Sequence, residues 1–433
     1  MSNTVAIVGR PNVGKSSFFN RIIGQFKSIV ANEEGITRDR IYGRSEWLTR
    51  KLNVIDTGGM SLKDADFQAE INLQVTVAIE ESDIVLFLVD GIGNLVEDDY
   101  YIAERLRKAN KEVIVVVNKI DDPSKIENIY NFYELGFEHV MPASVIHSIG
   151  MGDILDKTIE LLSTTQIEKD KDEISFAIIG RPNVGKSTLV NTILKEQRVI
   201  TSDIAGSTRD SVDTPFKYYG QKYRIIDTAG IRKKGKIIDS IEKFSYLRAI
   251  KAVDESDIVV VLLEADQPII EQDKRILGIA FEQQKPIIVV LNKYDLINNK
   301  HNFEKIVSEY KEKVPFLSYA FFEYISAKDN LRVTNLMEKV KMVYDNSQIK
   351  VNTKLLNDVI GQAQLRNPAP NFNSGRLKIY YAKQVDNNPV TLLLFCNSPE
   401  FVHFSYKRYI ENTLRDNFYF DGIPLSIKFR RSE

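Results

Sequence analysis

The string Gly-Arg-Pro-Asn-Val-Gly-Lys-Ser occurs at Gly9–Ser16 and again at Gly180–Ser187, 171 residues further on. A glycine-rich turn that runs directly into a lysine and a hydroxyl residue suits a polyphosphate. The glycines let main-chain amides wrap a phosphate, the lysine bridges neighbouring phosphates, and the hydroxyl ligates magnesium. Gly9, Arg10, Pro11, Asn12, Val13, Gly14, Lys15 and Ser16 are therefore the candidate cradle of one site. Gly180, Arg181, Pro182, Asn183, Val184, Gly185, Lys186 and Ser187 are that of a second. Two copies identical over eight residues are not accidental, and they predict a tandem nucleoside triphosphatase.

The other signals recur in the same register. Asp56-Thr57-Gly58-Gly59 and Asp227-Thr228-Ala229-Gly230 are again 171 apart, each after an apolar run. An aspartate there can hold the magnesium through water, while Gly59 or Gly230 offers an amide to the γ-phosphate. Thr37 and Thr208, in GITRD and GSTRD, are the candidate magnesium-binding hydroxyls of a segment that the triphosphate orders and hydrolysis frees. The metal set is then Ser16, Thr37 and Asp56 in one repeat, with Ser187, Thr208 and Asp227 in the other.

Asn118-Lys119-Ile120-Asp121 and Asn292-Lys293-Tyr294-Asp295, 174 apart, identify the base. An aspartate can accept hydrogen bonds from both the ring N–H and the exocyclic amine of guanine, and adenine presents no such pair, so the nucleotide is GTP or its product GDP. Ser326-Ala327 is expected to back the guanine carbonyl, with Ser144-Val145 at the matching place in the first repeat; there the backbone contact is expected and the loop geometry is open. Met60 and Ile231 stand where many small GTPases carry a water-orienting glutamine. Neither can position water, so unassisted turnover is expected to be slow, about 10⁻⁴ to 10⁻² per second.

These motifs need strands to hold them. TVAIVG, KLNVIDT, DIVLFLVD and EVIVVVNK, then SFAIIG, KYRIIDT, DIVVVLLE and PIIVVLNK, are near-continuous apolar runs. Such runs are what strands buried on both faces require, and their alternation with helical stretches predicts an α/β fold, a mostly parallel sheet with helices on both sides. The expected organisation is a first GTPase domain at 1–163, a charged linker at 164–173, a second GTPase domain at 174–345 and a small α+β domain at 346–433. That tail reads as helix, strand, strand, helix, strand. Residues 351–433 hold 11 Lys or Arg against 7 Asp or Glu, so its net charge is positive.

Over the whole 433 residues, 58 Lys or Arg nearly cancel 59 Asp or Glu, which argues against a global attraction to nucleic acid or anionic membrane. The single cysteine, Cys396, cannot form an intramolecular disulfide, no run of about 18 apolar residues occurs, and because the first residues run straight into TVAIV no leader is expected. A cytoplasmic monomer is the expectation. His139, His147, His301 and His403 show no metal-ligand spacing.

With its two GRPNVGKS strings, its GITRDR and GSTRDS segments, and a tail containing GRLKIYYAKQV, FSYKRYIEN and IKFRR, the chain resembles the Der (EngA) family of bacterial tandem-domain GTPases over essentially its full length. The resemblance implies two GTPase domains packed around a KH-like domain, and a role in assembly of the large ribosomal subunit on its rRNA. It also implies potassium stimulation, with Asn12 and Asn183 matching the asparagine that helps bind the cation. Two mechanisms compete: a timer in which hydrolysis ends residence on the subunit, and a scaffold in which one domain holds nucleotide with little turnover. The tail has only Gly361, Gly375 and Gly422, too far apart for the GXXG clamp of an ordinary KH module. Arg376, Lys378, Lys383, Lys407, Arg408, Arg430 and Arg431 can meet rRNA phosphates or simply face solvent. Tyr380, Tyr381, Phe401, Phe404 and Tyr409 read as core rather than as base platforms. The basic run Arg232-Lys233-Lys234 follows Gly230 and is expected to respond to the γ-phosphate.

Overall fold

Strand β1 (Thr4–Val8), the run TVAIV, is buried along its whole length. The computed structural model describes residues 3–25, 42–48, 50–59, 67–164, 172–195, 199–200, 213–227, 242–297, 303–387 and 389–432. Met1–Lys169 with Gly235–Asp254 form one compact unit, and Asp170–Lys234 with Glu255–Glu433 the other.

In the first unit β1 is followed by α1 (Lys15–Gln25), β2 (Tyr42–Trp47), β3 (Arg50–Asp56), α2 (Phe67–Glu81), β4 (Ile84–Asp90), α3 (Glu97–Lys108), β5 (Glu112–Asn118), β6 (His139–Pro142) and α4 (Met151–Thr164). The sheet order is β2-β3-β1-β4-β5-β6, parallel except for the β2–β3 pair. Both side-chain parities are covered. Ile7, Leu86 and Ile114 pack with Phe18 and Ile22 of α1 and Ile154 and Leu155 of α4. Ala6, Val85 and Val113, on the opposite face, are equally buried, and α2 lies against β1 with α3 beside it. This explains why the interior strands read as unbroken apolar runs rather than alternating ones.

The second unit repeats the plan: β7 (Glu173–Ile179), α5 (Lys186–Lys195), β8 (Val199–Ile200), β9 (Thr214–Tyr218), β10 (Gln221–Ile226), β11 (Ile258–Glu264), α7 (Glu271–Glu282), β12 (Ile287–Asn292), α8 (Phe303–Lys313), β13 (Phe321–Tyr324) and α9 (Val333–Ser347). Helix α6 (Glu242–Glu255), between β10 and β11 in the chain, counts with the first unit as far as Asp254. The sheet order is β13-β12-β11-β7-β10-β9-β8. In each sheet the strand before the glycine-rich turn has its later parallel neighbours on both sides, β3 and β4 around β1, β10 and β11 around β7. That is a topological switch point, where ligands bind beyond the carboxyl ends of the strands.

The tail continues the second unit with α10 (Thr353–Arg366), the short hairpin β14 (Asn371–Phe372) and β15 (Gly375–Arg376), then β16 (Ile379–Asn387), β17 (Val390–Cys396), α11 (Phe404–Asn417) and β18 (Leu425–Arg431). The expected order of helix, strand, strand, helix, strand is present. The extra hairpin was unexpected because two-residue strands carry no periodicity. Asn352 caps α10 by accepting from the Lys354 and Leu355 amides. Strands β16 and β17 are antiparallel and β17 and β18 parallel, so α11 supplies the crossover that a parallel pair needs.

The tail is stitched to the second sheet through Gly422. Its N–H donates to Tyr319 O and its carbonyl accepts from the Ile287 N–H, each at 2.9 Å. Arg415 holds the same turn by donating to Phe420 O at 3.0 Å and Ile423 O at 3.1 Å. Gly422 has φ +77°, and a Cβ there would lie 2.6 Å from Val343 Cγ2. Gly422→Ala is therefore expected to cost about 1–3 kcal/mol in chemical denaturation. Gly361→Ala, in α10 where an added Cβ meets nothing within 4 Å, is expected to stabilise by about 0.5–1 kcal/mol.

Candidate functional site

The parallel register brings four strand ends to one edge of each sheet. In the first sheet Ile7 is level with Asp56, and Asp90 with Asn118. In the second, Glu264 is level with Asn292. The glycine-rich turn, the aspartate of DTGG and the asparagine of NKxD therefore meet without any long-range coincidence of loops.

The turn itself is shaped by positive φ angles at Asn12 (64°) and Gly14 (101°), matched by Asn183 (66°) and Gly185 (103°). Val13 and Val184 are fully buried and anchor the turn to the core. Lys15 Nζ donates to Gly9 O at 2.6 Å and Arg10 O at 2.8 Å, and Lys186 Nζ to Gly180 O at 2.8 Å and Arg181 O at 2.7 Å. Burial pushes the Lys186 ammonium down to about 8. An incoming anion would offset that desolvation, so the buried cation favours phosphate. Ser16 and Ser187 occupy the second position of α1 and α5. Pro11 is half-buried, whereas Pro182, Asn12 and Asn183 are exposed at the rim.

Asn118 and Asn292 join the pieces. Asn118 Nδ2 donates to Val13 O at 2.7 Å, and its Oδ1 accepts from the Val145 N–H at 3.1 Å. Asn292 makes the same pair, to Val184 O at 2.8 Å and from the Ala327 N–H at 2.9 Å. A Cβ on Gly14 would lie 2.5 Å from Asn118 Nδ2, so glycine is needed for this approach. The Ser144-Val145 departure thus leaves the contact intact, because the main chain makes it. The serine hydroxyls do differ: Ser144 donates to Asp121 at 2.5 Å, while Ser326 donates to Asp329 at 3.0 Å. Asp121 and Asp295 are exposed at the edge where a base would arrive.

Asp56 is buried and its Oδ1 accepts from the Gly58 N–H at 2.9 Å. The Thr57 hydroxyl is fully buried and donates to Ile7 O at 2.6 Å, so that side chain anchors the loop. Gly59 follows in a short turn. Asp227 has φ 55°, and its N–H donates to Asp213 at 3.1 Å. Ile120 and Tyr294 point into the core. Thr37, Met60, Thr208, Thr228, Ala229, Gly230, Ile231 and the run Arg232-Lys233-Lys234 lie outside the described residues, as does most of the expected linker.

One connection was missed from sequence. Arg10 reaches the buried Asp99 of α3 at 3.4 Å and Asp90 at 4.0 Å, and Asp90 also pairs with Lys119 at 2.7 Å. Arg181 likewise meets Asp273 at 2.6 Å and Glu264 at 3.7 Å, and Glu264 pairs with Lys293. An acid therefore links the arginine of the turn to the lysine of NKxD in both repeats. Burial pushes the Asp90 carboxyl up, but the Lys119 hydrogen bond, the Ile92 amide and the charges of Lys119 and Arg10 outweigh it and hold the group below its ordinary value. Asp90 and Glu264, and Asp99 and Asp273, are each 174 apart, the offset of the NKxD motifs. Extending the repeat comparison beyond the familiar strings would have found them.

Comparison with known proteins places this geometry in a family. A profile described as "50S ribosome-binding GTPase" matches residues 4–119 and 175–293. One described as "KH-domain-like of EngA bacterial GTPase enzymes, C-terminal" matches residues 350–430. The chain is 49% identical to the GTPase Der of Mycoplasma capricolum subsp. capricolum, covering 98% of each chain. It is also 49% identical to the GTPase Der of Geobacillus sp. (strain WCH70), again over 98% of each. Identity to the GTPase Der of Staphylococcus carnosus is 47%, with 98% of both chains covered.

The shared acid generates a prediction. Asp90→Asn, measured with fluorescent GDP in a Lys186→Ala background, is expected to weaken the first site about tenfold, the loss of one charge-assisted hydrogen bond. Glu264→Gln in a Lys15→Ala background should do the same to the second. An unchanged affinity in both would mean that the acids serve only the local fold.

Proposed function

The chain belongs to the Der family of GTPases, and on that premise we propose that it is a GTP-hydrolysing assembly factor for the large ribosomal subunit, binding the subunit in its GTP state and leaving it after hydrolysis. The observation that carries this reading is the buried asparagine tie, present in both repeats with the same partners. Each tie couples the turn that would hold phosphate to the loop that would hold guanine. Equal ties favour two competent domains over the scaffold reading, in which one domain seldom turns over.

In this reading the amides of Gly9–Ser16 and Gly180–Ser187 cradle the β-phosphate, and Lys15 and Lys186 bridge to the γ-phosphate. Asp121 and Asp295 accept from guanine, while the Val145 and Ala327 loops back its carbonyl. The donor set suits magnesium, which takes one or two protein oxygens and otherwise keeps water and phosphate. Ser16 with Asp56, and Ser187 with Asp227, would hold it, joined by Thr37 and Thr208. Bound magnesium supplies neutralisation of the charge on the β- and γ-phosphate oxygens. Water attacks the γ-phosphorus, the bond to the β–γ bridging oxygen breaks, and GDP, phosphate and a proton leave.

Asn12 and Asn183, exposed at positive φ on the rim of each turn, would hold a potassium ion. The protein acts as a monomer in the cytoplasm in this account. Among the described residues no helix is long and apolar enough to cross a membrane.

Cosedimentation with purified large subunits tests the partner. Binding is expected with a non-hydrolysable GTP analogue and is expected to fall at least tenfold with GDP; equal binding in both states would remove the timer. Single-turnover hydrolysis tests the cation. Potassium is expected to exceed sodium several-fold, and equal rates would exclude a specific cation role for Asn12 and Asn183.

A further inference from the structure

Two of the tail's three glycines are committed to close packing, and the third lies inside a helix. Gly361 lies within α10, Gly375 is pressed against the Phe401 ring, and Gly422 sits in the seam against Val343. A GXXG clamp on nucleic-acid backbone is therefore absent from this domain, and any RNA contact needs another surface.

The three-stranded sheet offers one. Ala382, Leu392, Leu394 and Ile427 form its buried face, packed with Leu356, Ile360, Ile410 and Leu414 of the two helices. The residues of opposite parity form the other face. Strand register aligns Tyr381 with Phe395 and Arg430 in one row, and Lys383 with Leu393 and Lys428 in the next. Tyr381 is 45% exposed, which corrects the expectation that it is core; Tyr380 and Phe404 are also exposed, while Phe401 and Tyr409 are half-buried. The Tyr381 and Phe395 rings lie 6.0 Å apart at a 37° tilt, and Lys383 Nζ is 5.7 Å from the Phe395 ring centre. Lys383, Lys428 and Arg430 are exposed, and none pairs with a carboxylate among the described residues. Asp386, at the far end, accepts from the Asn387 amide.

We propose that this open sheet face, carrying Tyr381, Phe395, Lys383, Lys428 and Arg430, binds single-stranded RNA. Charge complementarity selects a polyanion, and two rings beside three unpaired cations select one with flat, unpaired bases. A duplex keeps its bases stacked on each other and cannot present them to the rings. Successive rows are about 6.7 Å apart along a strand, so an extended backbone can place one base per row while its phosphates meet the lysines and the arginine. The choice of RNA over DNA rests on the ribosomal reading above.

The test uses the full chain in saturating GDP and a fluorescein-labelled, unstructured RNA 12-mer, read by anisotropy across a salt series. Three phosphate contacts predict a slope of log affinity against log salt of about −2. Tyr381→Ala should weaken binding about tenfold with the slope unchanged, and Tyr381→Phe should restore it. Lys383→Gln and Lys428→Gln should each make the slope shallower by about 0.7. GTP hydrolysis and the thermal midpoint should stay at parent values in all four variants. The proposal is overturned if the parent does not bind the 12-mer, if Tyr381→Ala and Lys428→Gln bind it like the parent, or if duplex RNA or an acidic peptide binds as tightly. Subunit cosedimentation separates the two readings. Subunit binding without 12-mer binding removes the face and keeps the ribosomal partner; 12-mer binding sensitive to Tyr381→Ala without subunit binding does the reverse.

Discussion

Each proposed nucleotide site depends on one buried side-chain amide. Asn118 spends its N–H on Val13 of the glycine-rich turn and its oxygen on the Val145 amide of the following loop, and Asn292 repeats both contacts. A buried amide left without partners costs about 1–3 kcal/mol, so the three segments hold one another in place rather than merely adjoining. The glycine at Gly14 or Gly185 follows from this contact, because a side chain there would occupy the amide's space. So does the tolerance of the exchange of Ala327 for Val145, since the amide contacts main chain only.

The parallel sheet makes that contact possible by ending β1, β3, β4 and β5 at one edge. The ion pairs around Asp90 and Glu264 form a second tie at the same edge, from the arginine of the turn to the lysine of NKxD. Amide and acid ties act in parallel, one buried and neutral, the other charged and partly accessible. In the proposed reading, guanine recognition and phosphate recognition are thereby parts of a single frame.

Much of this frame was legible in the sequence because strands buried on both faces must be apolar throughout, and because a polyphosphate turn needs glycine at fixed places. The order of the tail's main elements was legible for the same reason, helical and strand periods being visible in residues 353–366 and 390–396. What was not legible depends on tertiary approach. Arg10 and Asp99 are far apart in sequence, and neither stands out until α3 brings them together. The fate of Tyr381 was misread because an aromatic residue in a strand has the same local pattern whether its face is covered or open; only the placement of both helices on the opposite face decides it. Thr57 was grouped in sequence with the other residues of DTGG, and only the folded chain shows that its hydroxyl anchors the loop to Ile7.

The central claim is that both repeats are complete guanine-nucleotide sites built on the same asparagine tie. Isothermal titration of the nucleotide-stripped full chain with GDP, followed by a challenge with excess ADP, tests it most directly. The account predicts two GDP bound per chain and no displacement by ADP. One GDP per chain, or displacement by ADP from either site, would contradict it.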